Sequence, residues 1–84
     1  MDKNFSNKAQ EIGYALMRIA AYVKRSDMRL RFENLSMEII ESIAEDYSDG
    51  ALSSANRIVE LLKLGASIYE VETLNARAII EQVE

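Results

Sequence analysis

Residues 28–47, MRLRFENLSMEIIESIAEDY, decide how this chain is read. At about 100° per residue, Met28, Phe32, Leu35, Ile39 and Ile43 fall on one helix face, and Leu30, Met37, Ile40, Ala44 and Tyr47 on roughly the opposite one. Only a narrow polar strip of Arg31, Asn34, Glu38, Glu41 and Glu45 separates the two. A helix that is apolar on both sides has to be covered on both sides. Either it lies centrally among other helices of its own chain, or it offers its second face to a partner; the pattern alone leaves both open.

Upstream, Phe5, Ala9, Ile12, Leu16, Ile19 and Val23 recur on one face and predict a first helix over roughly residues 5–25. Gly13, Met17 and Ala20 widen that face with small or flexible residues that allow close helix approach. A mid-helix glycine costs about 1 kcal/mol relative to alanine, so a packing reason for Gly13 is expected. Ser26 and Asp27 offer a cap and a favourable charge for the second helix, which runs to about Tyr47. The alternative is one unbroken helix through Ser26.

Downstream, Ser48-Asp49-Gly50 reads as a turn, followed by a third helix on Ala51, Ala55, Ile58 and Leu62 that ends at Leu64 with Gly65 in the left-handed position beyond. The last helix starts either at a capping box, Ser67-Ile68-Tyr69-Glu70, or near Glu72, with Leu74, Ala76, Ile79, Ile80 and Val83 as its apolar positions. Asn75 among them is either a buried specificity residue or an exposed one. With no proline and glycine only at positions 13, 50 and 65, turn residues are too few for a sheet. The expectation is a single all-α domain over residues 1–84, a small antiparallel helical bundle of three to four helices, with four the better fit.

A chain of 84 residues buries a modest share of its surface, and domains of this size are commonly helped by disulfides, metals or self-association. Cysteine and histidine are both absent, which removes disulfides, the usual nucleophilic dyads, zinc sites and the Glu-x-x-His pairs of bundle di-metal centres. Glu38, Glu41 and Glu45 form a row, but such rows are ordinarily solvated strips. The stretch Glu45–Gly50 resembles the start of a calcium loop only faintly, since Tyr47 stands where a ligand belongs and Asn56 where the bidentate glutamate belongs. No glycine-rich phosphate loop or dinucleotide fingerprint occurs. The expectation is therefore a non-enzyme without a cofactor, metal or small-molecule substrate. The polar N-terminal residues predict no signal peptide, no membrane span and a cytoplasmic location.

Two functional readings remain. In the first, the chain is a self-associating protein–protein interaction module, expected as a homodimer or docked to an amphipathic helix of another protein, with Leu30, Met37, Ile40 and Tyr47 as anchors. The second rests on charge. Residues 1–32 carry seven basic and three acidic groups, for +4, whereas residues 33–84 carry three and eleven, for −8. If the first helix continued in register through Ser26, then Tyr14, Arg18, Tyr22, Arg25 and Arg29 would share one stripe able to hold phosphates and stack on bases of RNA or DNA. Against it stand Glu11 on the same stripe and a pI of about 4.8 where a dedicated nucleic-acid binder has about 9 or more.

Overall fold

The computed structural model describes all residues except Met1, Tyr69 and Glu84. Among the described residues there are four helices and no strand: α1 (Lys3–Ala20), α2 (Ser26–Ala44), α3 (Ser48–Ser67) and α4 (Thr73–Val83). Each packs on the next through a short turn, and α1 also contacts α4, so the helices close into an antiparallel bundle. Its interior holds Leu16, Phe32, Ile39, Ile58 and Leu62, all excluded from solvent, with Ile12, Met28, Leu35, Val71 and Ile79 around them. Alanines at positions 9, 20, 51, 55 and 76 are buried with them.

α1 begins at Asp2, whose carboxylate accepts from the Asn4 amide at 2.8 Å. It ends at Ala20, five residues before the expected end. The Tyr22 and Val23 amides donate three residues back, to Ile19 and Ala20, so the chain tightens into a turn that still delivers Val23 to the core. The apolar period therefore outlasts the helix, which is why periodicity overran it. α2 then starts at Ser26, and the helix is broken rather than continuous. Ser26 is not the cap; Arg25 holds that position without a side-chain bond, and Asp27 accepts instead from the Met28 amide at 2.8 Å.

α2 stops at Ala44, and the residue that turns left-handed after it is Asp46, at φ 55°, not a glycine. The Asp46 amide donates to Ile43 and the Tyr47 amide to Ser42, the paired closing bonds of a Schellman motif. Ser48, Asp49 and Gly50 accordingly belong to α3, which also runs through Gly65 to Ser67. Gly65 is helical and serves a different purpose: a Cβ there would come 2.9 Å from the Val71 side chain and 3.5 Å from Phe32. Its absence lets the α3–α4 turn fold down onto the core.

The capping box at Ser67–Glu70 includes Tyr69, which lies outside the described residues. Its other members are used differently, since the Ser67 hydroxyl donates back to the Leu64 carbonyl at 2.9 Å. The Glu70 carboxylate accepts from the Lys24 and Arg25 amides at 3.1 and 3.3 Å, joining the α3–α4 turn to the α1–α2 turn at one end of the bundle. α4 follows the second of the two expected starts, with the Ala76 amide bonded to the Glu72 carbonyl.

Candidate interaction surface

The core face of α2 is the expected one: Met28, Phe32, Leu35 and Ile39 are buried and Ile43 packs against them. The opposite face divides. Leu30 and Met37 point to solvent, 56% and 46% exposed, and Ala44 at the helix end is exposed with them. These three lie seven residues apart, so they form one stripe along the outside of the helix, flanked by exposed Asn34 and Glu41. Ile40 belongs elsewhere. It is half-buried and lies over Gly13 of α1, where a Cβ would come 2.8 Å from its Cδ1 atom and 3.0 Å from the Ile39 side chain.

Gly13 thus brings α1 against α2, and the approach is used a second time: the buried Ser36 hydroxyl donates to the Gly13 carbonyl at 2.5 Å. Placing a hydroxyl on the core face beside Phe32 and Ile39 would be costly without such a partner. That polar residue among core positions was the available sequence signal for the seam. Tyr47 also leaves the stripe, because it lies beyond the end of α2 with its ring turned onto Gly50 of α3, although it remains 55% exposed. Of the four anchors expected from sequence, Leu30 and Met37 share the outer stripe, Ile40 fills the α1–α2 seam and Tyr47 folds back on α3.

Along α1, Tyr14 and Met17 are partly exposed beside the seam, and the Gln10 amide donates to the Tyr14 hydroxyl at 2.9 Å. The condition for a continuous Tyr/Arg stripe is not met, since α1 ends before Ala21. Tyr14, Arg18 and Tyr22 stay on the α1 side, with Tyr22 82% exposed in the turn. Arg25 is turned to Asp27 at 2.8 Å, and Arg29 is half-buried with a guanidinium N–H donated to the Val23 carbonyl at 3.3 Å. Arg18 and Tyr22 instead line a hollow of about 490 Å³ between α1 and α4, together with Ala15, Ile19, Ile79, Glu72 and Asn75. Asn75 is exposed rather than buried.

The acidic row on α2 is solvated. Glu38, Glu41 and Glu45 are exposed, with Glu38 paired to Arg57 of α3 at 2.9 Å. Among the described residues no three acidic side chains converge in a way that could hold a metal ion. The groups whose acidity is displaced are the exposed pair Arg25 and Asp27: the hydrogen bond from Arg25 holds the Asp27 carboxyl below its ordinary value, with help from the Met28 amide, and Arg25 is raised in return. No helix among the described residues is long and apolar enough to cross a membrane.

The fold and surface define a small all-α four-helix bundle carrying an apolar stripe on the outside of its second helix. The chain matches no protein-family model, and neither the curated proteins nor the solved structures give a significant match.

Proposed function

We propose that this protein is a non-enzymatic interaction module that self-associates as a homodimer through the outer face of α2. The observation that carries the reading is the stripe of Leu30, Met37 and Ala44, exposed at seven-residue spacing on a helix whose opposite face already fills the core. Residues seven apart fall on one line of a helix, along which a second helix can lie. Burying them would add the apolar area that a domain of 84 residues, without a disulfide, has in short supply. The reading keeps the cytoplasmic setting expected from the sequence.

The phosphate-binding alternative loses its linear stripe at the α1–α2 break, and Arg29 is occupied by the Val23 carbonyl. No observation on the surface favours it over the apolar stripe.

The test is the double variant Leu30→Glu, Met37→Glu. Both positions are solvent-facing in the single chain, so the variant is expected to keep the wild-type far-ultraviolet helical signal while its mass by light scattering falls to that of one chain. A variant that retains the wild-type dimeric mass would remove α2 from the interface.

A further inference from the structure

α2 changes charge along its length. Its first half and the turn before it carry Arg25, Arg29 and Arg31, against Asp27, which Arg25 engages, and the half-buried Glu33. Its second half carries Glu38, which Arg57 of α3 engages, and Glu41, with Glu45 at its C-cap, Asp46 and Asp49 just beyond, and no basic residue of its own. Met37 stands near the middle of this gradient and near the middle of the exposed stripe, seven residues from both Leu30 and Ala44.

We infer that two copies pair their α2 helices antiparallel, about a two-fold axis beside Met37, with each helix's basic half against the other's acidic half. This inference rests on the self-association proposed above and adds its geometry. In the antiparallel arrangement Met37 meets the partner's Met37 and Leu30 meets the partner's Ala44, so the stripe covers itself completely. Arg31 lies six residues before the axis. On the other copy, exposed Glu41 and Glu45, four and eight residues after it, bracket that same level. A parallel pairing in register would instead set acidic half level with acidic half and basic half level with basic half, bringing like charges to the same height. It would also align two helix dipoles, whereas the antiparallel pairing brings the acidic second half toward the positive N-terminal end of its neighbour. Apolar burial supplies the affinity; the charge gradient selects the direction.

The chain has no cysteine, so single cysteines report direction directly. Under mild oxidation, Met37→Cys is expected to give a disulfide-linked dimer. Leu30→Cys alone gives none, because the two copies of that residue lie about 20 Å apart along an antiparallel pair, beyond the roughly 7 Å that a disulfide spans. Mixing Leu30→Cys with Ala44→Cys restores a cross-link between the two different chains. Arg31→Glu should weaken the dimer several-fold, and adding Glu41→Arg and Glu45→Arg to the same chain should recover it. Light scattering of the unmodified protein separates the failures. A dimer in which Leu30→Cys cross-links to itself overturns the antiparallel pairing and leaves self-association through α2 intact. A dimer that cross-links at none of these positions, or a monomer, overturns both.

Discussion

The two sides of α2 outside the core make an instructive pair. On the side toward α1, Ile40 closes over Gly13, and the Ser36 hydroxyl reaches the Gly13 carbonyl. On the outer side, Leu30 and Met37 stay about half exposed. All three are large apolar residues on a helix surface. What separates them is whether a neighbouring helix lacks a side chain opposite, so that a single glycine converts part of an apolar face from surface into seam. The contrast predicts where substitutions are felt and where they are silent.

The largest effect belongs to the core face of the same helix. Phe32 is 0% exposed, and Phe32→Ala should cost about 3–5 kcal/mol, a large part of the roughly 4–13 kcal/mol expected for a domain this size. Met37→Ala should move the denaturation midpoint of the isolated chain hardly at all. Urea titration at a protein concentration low enough to hold the chain monomeric checks both, and equal losses at the two positions would erase the distinction.

Gly13→Ala probes the seam itself. Alanine gains about 1 kcal/mol of helix propensity, yet its methyl would overlap Ile40 and Ile39, and overpacking of that kind costs about 1–3 kcal/mol. Net destabilisation is expected, and pairing Gly13→Ala with Ile40→Val should recover part of it. A stabilised Gly13→Ala would show that α1 and α2 leave room for a methyl group at this crossing. Ser36→Ala removes one buried hydrogen bond and should cost about 1 kcal/mol by the same titration.

The smallest effect is at the start of α2. Hydrogen bonding lowers the Asp27 carboxyl in the folded state, so the folded chain holds its proton less tightly than the unfolded chain does. The contribution is present above the ordinary value of 3.8 and is lost as pH falls through the depressed folded value. Both partners are exposed, so the loss should be slight; comparing the stability profile of wild type with that of Asp27→Asn should show a small advantage for wild type at neutral pH that narrows as pH falls below about 4.

Most of the fold was legible because helices with a strong apolar period announce themselves. The core face of α2 and the apolar faces of α1 and α3 stand where the period puts them. The ends were harder to read. Val23 continues the period of α1 through a turn that is no longer helical, and neither Gly50 nor Gly65 ends a helix, since both lie inside α3 with side chains packed close against them. The left-handed residue is Asp46, a role that asparagine and aspartate share with glycine and that composition alone did not flag.

The candidate surface was legible by half. That α2 had too much apolar surface for one face could be read directly, but assigning each residue of the excess required knowing which helix lay alongside. The period puts Ile40 outward although Gly13 receives it, and extends α2 to Tyr47 although the helix stops short of it. The reach of Glu70 to the Lys24 and Arg25 amides spans forty-six residues at its longest and leaves no local trace in the sequence.

The most direct test of the outer face of α2 as an interface is the solution mass of the unaltered chain by light scattering, over a wide range of concentration and at low and high salt. The account predicts a mass approaching twice 9.5 kDa as concentration rises, and holding as salt rises, because apolar burial rather than charge supplies the affinity. A mass of 9.5 kDa throughout would mean that Leu30 and Met37 remain in water in the working protein, and the proposed function would be withdrawn.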